Sequence, residues 1–422
     1  MTIWSTIIKR FRAPALPLAT VAYDQTYFNQ LLNVLRLYFN QLDNLLEQIV
    51  TNTSTPVPIS IGGTNVDAFG RLRISAPYTL FDSQQRYEAD PQFDTTTTGT
   101  GSATYASNEA SVNMSVTAGG VGSVTKQTYR VFPYQPGKGL LVLATFVMDS
   151  SLSTGLTQRV GYYNTDNGVF FQKVDGVYSF VLRSNSIPTP GTPSDVRTVN
   201  QADWNGDKLD GTGASGYTLN PATAQILWMD FEWLGVGSVR CGFIIDGQYI
   251  VCHTFNNAND ITTVYMSTAI LPVRYEIVSS VAVAGTLKMI CSSVVSEGGY
   301  EQYSYGHVAR RTTALGTIGS TFLPLVSIRL KSTRLGAVVL PQRVQVLPTT
   351  NQNYEVALVK NPTLTGASWA ATTSGNVEYD VSASTVTGGT IVQTDYVTSS
   401  GSGGTNPLAD PSGYNWDLQL GS

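Results

Sequence analysis

Gln225-Ile-Leu-Trp-Met-Asp-Phe-Glu-Trp-Leu234, then Val239-Arg-Cys-Gly-Phe-Ile-Ile-Asp-Gly-Gln-Tyr-Ile-Val-Cys-His-Thr-Phe255, Val264-Tyr-Met266 and Val273-Arg-Tyr-Glu-Ile277 decide the fold. Strand-length runs of β-branched and aromatic residues, broken by turn residues about every 8 to 12 positions, predict antiparallel β structure. Asp246-Gly247 is a two-residue hairpin turn, because both positions tolerate positive φ. Counting outward pairs Ile245 with Gln248, Phe243 with Ile250 and Cys241 with Cys252. Strand parity then puts Cys241, Phe243, Ile245, Ile250 and Cys252 on a core face. It also sends Leu227, Met229, Phe231 and Trp233 inward and Trp228, Asp230 and Glu232 outward. His253, next to Cys252, is expected to face outward.

Asp175-Gly176 centres a second hairpin, from Gly168 to Leu182. Strands are expected at Ala110 to Thr117, Val124 to Phe132, Gly139 to Met148, Gln158 to Tyr163 and within Val281 to Val295. Together they predict a mainly β protein whose body is a jelly-roll-like antiparallel sandwich of about ten strands. The Thr, Gly and Ser tract from Phe93 to Ser115 is expected to be a surface excursion.

Outside the sandwich the chain divides into a docking arm (1–22), a helix (23–50), a linker and β lead-in (51–115), the sandwich (116–300), a connector (301–322) and a C-terminal β domain (323–422). In the helix, capped by Asp24, Phe28, Leu31, Leu35, Tyr38, Leu42, Leu45 and Ile49 recur at spacings of three and four, an a/d seam over about three heptads. Leu32, Phe39 and Leu46 widen the stripe. The pattern suits self-association of several copies, possible trimers included, or a single helix lying across its own β domain. The C-terminal strands predict a compact terminal sandwich ending at Trp416 to Leu420.

Only 13% of the 422 residues are charged, about half the usual share, and the net charge is −4. With charges scattered, nucleic acid is not an expected partner; Arg71 and Arg73 are read as interface or intrachain salt-bridge residues. Three cysteines do not make a disulfide framework. The first residues lack a secretory leader pattern, and no apolar run reaches membrane-spanning length, so no membrane insertion is expected.

Tyr27 to Asp43, with its Tyr-Phe-Asn-Gln-Leu and Leu-Tyr-Phe-Asn-Gln-Leu-Asp pattern, resembles a helix of virion structural proteins of tailed bacteriophages, especially aquatic ones. Asp67-Ala-Phe-Gly-Arg-Leu-Arg-Ile-Ser-Ala-Pro-Tyr-Thr-Leu-Phe-Asp82, Trp204 to Gly213 and Ile226 to Gly237 are similar to segments of the same proteins. The likeness covers roughly residues 25 to 300. It implies a tail, baseplate or fibre component and carries over no functional residues.

Asp203, Asn205, Asp207 and Asp210 offer oxygens between glycines, as a calcium site requires, but lack the glycine and closing Glu of the twelve-residue calcium loop. The other reading is a loop stiffened by Asx turns and pinned by Trp204. Trp204 could instead stack on a sugar, and Trp228 beside Asp230 and Glu232 could line a glycan groove. Asp230 and Glu232 could also begin a carboxylate pair of a glycosidase. No nucleophile elbow, phosphate loop, Cys-x-x-Cys or His-Glu-x-x-His motif occurs, and no cofactor is expected.

The expected function is therefore a non-enzymatic virion structural protein, a fibre or connector subunit anchored by its N-terminal region. Two alternatives stand beside it: a host-receptor (glycan) binding module and a virion-associated polysaccharide depolymerase. Removing residues 1 to 50 is expected to convert an oligomer into a monomer, measured as mass by light scattering. A monomeric full-length chain would assign the seam to the chain's own core.

Overall fold

The computed structural model describes residues 24–54, with side chains to residue 40, then 76–301 and 306–397 apart from positions scattered between 335 and 374. The docking arm, Arg71, Arg73, Tyr303, Tyr305, the final Trp416 strand and the side chains of Leu42, Leu45, Leu46 and Ile49 lie outside the described residues. The chain divides into two units, Met1–Ile74 and Ser75–Ser422.

In the first unit α1 spans Gln25–Ser54. Asp24 Oδ1 accepts the Thr26 N–H at 2.8 Å, as the capping reading expected. Leu31, Leu35 and Tyr38 are half-buried, whereas Phe28, Leu32 and Phe39 are exposed. No helix among the described residues is long and apolar enough to cross a membrane.

The second unit opens with β1 (Tyr78–Gln84), β2 (Phe93–Gly99), β3 (Ser102–Ala106), β4 (Ser111–Val116), β5 (Gly122–Thr128) and β6 (Leu140–Met148). There follow β7 (Leu156–Tyr163), β8 (Gly168–Val174), β9 (Val177–Ser184), β10 (Ser194–Asn200), β11 (Gln225–Phe231), β12 (Val239–Ile245), β13 (Gln248–Phe255), β14 (Val273–Ser279) and β15 (Gly285–Ser296). One sheet runs β13-β12-β11-β6-β15-β4-β3, with β1 also on β15; the other runs β10-β9-β8-β7-β14-β5-β2. The result is the expected antiparallel sandwich, with more strands than expected. The Thr-rich tract supplies β2 and β3, which hold the sheet edges. Six of the seven β2 residues are exposed, so no apolar alternation marks it as a strand.

The central strand β6 shows the packing rule. Leu140, Val142, Ala144, Phe146 and Met148 are buried, and the intervening residues are half-exposed. Phe146 meets Phe171 of the opposite layer at a ring separation of 5.9 Å, and Phe171 meets Phe243 edge-on at 5.2 Å. Tyr162 packs on Phe231, and its hydroxyl donates to the Ala269 carbonyl at 2.8 Å while accepting the Leu271 N–H at 3.1 Å. Val264 to Met266 is not a strand. Tyr265 and Met266 are nonetheless fully buried, so their apolar character reflects core packing by a loop.

Both hairpin turns form, with φ of 52° and 84° at Asp175 and Gly176 and of 50° and 76° at Asp246 and Gly247. Ile245 pairs with Gln248 and Phe243 with Ile250 as counted, but Cys241 faces His253 rather than Cys252. The register skips Cys252, a β-bulge no count from the turn anticipates. Cys252 and Cys241 are free, fully buried thiols, and burial pushes the Cys252 thiol up to about 12.

C-terminal to the sandwich, the described residues form small sheets, the expected smaller β region. They comprise β16 (Ser327–Leu330), β17 (Tyr354–Lys360), β18 (Thr363–Thr365), β19 (Ala370–Ala371), β20 (Val377–Asp380), β21 (Thr385–Thr387) and β22 (Thr390–Val397). They pair as β16-β20-β19, β17-β22 and β18-β21. Val344 to Val346 is irregular.

Phe243, wedged edge-on against Phe171, is the sensitive core position. Phe243→Ala is expected to cost about 3–5 kcal/mol in denaturant unfolding. Val177→Ala, at an exposed hairpin position, should stay within about 0.5 kcal/mol.

Candidate functional site

The two outer sheet faces differ in what they leave open. On the seven-stranded sheet, Tyr163, Phe170 and Val181 point away from the core and are still fully buried. Arg183 lies over the Phe170 ring at 5.1 Å and Arg274 over Tyr163 at 5.3 Å, while Glu276 joins Arg159 and Arg274 at 2.8 and 2.6 Å. Burial raises the Glu276 carboxyl pKa, but the two arginines more than offset it and hold the group below its ordinary value. This face is sealed by its own guanidinium groups.

The eight-stranded sheet carries a depression of about 260 Å³ lined by Asp230, Glu232, Ser238, Arg240 and Thr254. β11, β12 and β13 supply Asp230, Arg240 and Thr254, and the connection between β11 and β12 supplies Glu232 and Ser238. Asp230 of β11 lies opposite Arg240 of β12 and, on its other side, Leu141 of β6. This cross-strand pair is charge-assisted: Arg240 Nε donates to Asp230 Oδ2 at 2.9 Å and Nη2 donates to the same oxygen. Asp230 is almost wholly buried and Arg240 half-exposed, so the acid anchors a guanidinium whose free edge faces the depression. Burial disfavours the Arg240 charge, yet the Asp230 hydrogen bond and charge, with Glu232 and Glu297, leave its pKa raised. Glu232 is exposed at the rim. A second depression of about 330 Å³ sits on the loop between β1 and β2, with Asp82, Arg86 and Tyr87. Strands hold functional groups more rigidly than loops do, and the central Asp230–Arg240 pair of the first depression is held by two strands.

Glu297, which the sequence reading did not single out, belongs to the same cluster. A Cβ at Gly139 would lie 2.8 Å from Glu297 Oε2 and 3.6 Å from Asp230 Oδ1. The two carboxyl oxygens are therefore less than about 7 Å apart. Burial raises the Glu297 pKa, and Asp230 and Glu232 raise it further against the opposing Arg240. The signal available in the sequence was Gly139: its φ lies outside the left-handed region, so space, not backbone strain, explains the glycine.

Trp228 and Trp204 are both buried. Trp228 meets Tyr249 edge-on at 5.5 Å and donates to the Ile250 carbonyl at 3.2 Å, across Gly242, where a Cβ would lie 2.9 Å from its Nε1. Trp204 packs on Phe180 at 4.7 Å within the core cluster, and its N–H donates to the Val199 carbonyl at 3.1 Å. Neither indole presents an open face to a sugar ring. Of the four residues singled out for a glycan, the structure brings Asp230 and Glu232 together at the depression and puts Trp204 elsewhere.

The loop after β10 works as a clasp. Asn205 donates to and accepts from the backbone of Thr254 at 2.9 and 2.8 Å, and the Gly206 and Asp207 N–H groups reach Cys252 and Val251. This covers the edge of β13, which would otherwise expose unpaired backbone. Asp207 accepts Leu209 and Ser215 N–H groups, and Asp210 accepts Thr212. Their oxygens serve Asx turns, and Asp203 is exposed on the short 3-10 turn Gln201–Asp203. Among the described residues no three His, Cys, Asp or Glu side chains are placed to hold a metal ion.

His253 is buried, not outward. The bulge at Cys252 reverses parity and packs the imidazole on Phe255 at 4.6 Å, with Nδ1 accepting the Asn205 N–H at 3.3 Å. The clasp therefore closes on a neutral imidazole.

No protein-family model and no curated relative matches the chain. Solved structures resemble it slightly. The CBM2 module of the evolved Dit of Lactobacillus casei BL23 phage J-1 aligns with a TM-score of 0.36 and 6% identity over 54% of this chain and 100% of that one. The carbohydrate recognition domain of Emp47p gives 0.33 and 10%, covering 53% and 96% of the two chains. Peanut lectin with a 9mer peptide gives 0.31 and 10%, covering 53% and 98%. At these scores no ligand of those proteins transfers to this chain.

Burial, and then the charge of Arg197, lower the His253 pKa. The unfolded chain takes up that proton at an ordinary pKa of about 6.5, and the folded chain resists it. Stability is thus expected to fall as pH drops below about 6.5 toward the folded pKa. Urea unfolding between pH 7 and 5 checks this. His253→Asn, which keeps an acceptor for Asn205, should flatten the slope.

Proposed function

We propose that this chain is a glycan-binding module of a phage virion, mounted on the particle through its N-terminal region. The observation that carries the reading is the depression on the eight-stranded sheet, where Arg240 is held by a buried Asp230 beside Glu232, Ser238 and Thr254. Sugar hydroxyls are recognised by such convergent polar groups, with a carboxylate accepting and a guanidinium donating two bonds in a fixed plane. The sequence resemblance to virion structural proteins supports the setting, and α1 supplies a stripe for assembly. Multivalent display would then raise avidity without a tight single site. The structural fibre or connector role is contained in this reading; binding adds to it.

One observation favours a depolymerase: Glu297, with a raised pKa, converges on Asp230 beside the same depression. A half-buried carboxyl with a raised pKa close to a second carboxyl is an arrangement that glycoside hydrolysis uses.

The test is binding of the full-length protein to purified host surface polysaccharide. Glu232→Ala and Arg240→Lys are each expected to weaken it about tenfold or more, a loss of about 1.4 kcal/mol. Glu232→Ala should leave the unfolding midpoint unchanged, because the residue is exposed. Unaltered binding in both variants would remove the depression from the account. Release of reducing ends that disappears in Glu297→Gln would replace binding with hydrolysis.

A further inference from the structure

Hydrogen bonding in the depression on the eight-stranded sheet is lopsided. Arg240 Nε and Nη2 both donate to Asp230 Oδ2. The other oxygen, Oδ1, accepts no hydrogen bond among the described residues, although the Asp230 side chain is only 6% exposed. A carboxylate oxygen so buried is costly without a donor, so it marks a place for one. Ser238 Oγ donates to the Asn256 side chain at 3.2 Å, which leaves Ser238 an acceptor toward the depression. Glu232, exposed at the rim, adds two acceptor oxygens. Against these, the lining offers as donors the free edge of Arg240 and the Thr254 hydroxyl.

Charge is unbalanced in the same direction. Asp230 and Arg240 offset each other, and the carboxyl groups of Glu232 and Glu297 act on Arg240 as well. Burial raises the Glu297 pKa and the Asp230 charge raises it further, the response of an acid where negative charge is already in surplus. Among the described residues no aromatic ring lines the depression, so a sugar gains nothing there by stacking its apolar face. Nor are three acidic, histidine or cysteine side chains among them placed to hold a metal ion. The surplus of acceptors and negative charge is matched by an organic cation rich in N–H donors.

We infer that the depression takes a sugar that bears a protonated amino group and discriminates against uronic, sialic and phosphorylated sugars. An ammonium group carries three donors, no acceptor and a positive charge. It gives Asp230 Oδ1 the donor it lacks, while Glu232 attracts it from the rim. The free edge of Arg240 then donates to the hydroxyl oxygens beside the amine. A carboxylate or phosphate offers acceptors alone, leaves Oδ1 unsatisfied and meets the acids of the cluster, while Arg240 is already committed to Asp230. Neutral sugars, whose hydroxyls donate and accept, fall between the two. The inference rests on the glycan-binding role and names the sugar class for that same site.

The test is calorimetric binding of the full-length chain to glucosamine, N-acetylglucosamine and galacturonic acid oligomers of equal length, at a mildly acidic pH that keeps the amine protonated. The glucosamine oligomer is expected to bind about tenfold or more tightly than the acetylated one, with the uronate weakest. Glu232→Gln, which keeps the shape and removes the charge, should bring the first two within about threefold. Glu88→Gln, at an exposed loop position outside the depression, should leave the ratio as it is. Equal binding of the amine and its acetylated form overturns the inference. So does an equal effect of the two variants, which would trace the preference to the net charge of the chain. If the acetylated or uronate oligomer binds best and Arg240→Lys abolishes that binding, the glycan-binding role stands and this inference alone falls. If none of the three binds, the glycan-binding role fails and the inference with it.

Discussion

Aromatic packing between the two sheets is the constraint on which the rest of the structure depends. Phe146, Phe171, Phe180 and Phe243 meet across the layers, and each ring has an inward place only because its strand alternates in step with its neighbours. A slip of one residue in β11 would carry Leu227, Met229 and Phe231 into water. It would also bring Asp230 into the core, opposite no arginine. Core and candidate site are thus opposite sides of one register.

The outer face shows what that register makes possible. Asp230 can be nearly buried on the outside of a sheet because Arg240 faces it across one strand gap and Glu297 approaches over Gly139. The desolvated acid keeps a partner, which buried charges require. On the other sheet, arginines close over Tyr163 and Phe170, so the same residue types yield a sealed surface. The difference lies in the neighbours, not in composition.

Among the described residues, α1 and the β17–β22 ribbon have regular secondary structure and leave apolar side chains exposed. α1 has a cap and a seam but exposes part of its stripe, and the β17–β22 ribbon has a register but exposes Ile391, Val392 and Tyr396. The low share of charged residues agrees with surfaces meant to be covered.

The hairpin turns at Asp175-Gly176 and Asp246-Gly247, the inward set Leu227, Met229 and Phe231, and the capped helix were legible in the sequence, because each follows from a period or a φ preference within a few residues. The edge strands β2 and β3 were not, since a solvated edge carries no apolar alternation. Nor was the bulge at Cys252, which turned His253 inward and re-paired Cys241; a bulge is settled by what must fit across the sheet. Trp204 and Trp228 illustrate the limit for the site: an indole among polar residues reads the same whether it faces sugar or core. Only the layers showed that both are covered. Glu297 lies 67 positions from Asp230 in the chain, and tertiary structure alone brought their carboxyl groups together, because proximity between strands β11 and β15 is decided by which edges of β6 they pair with.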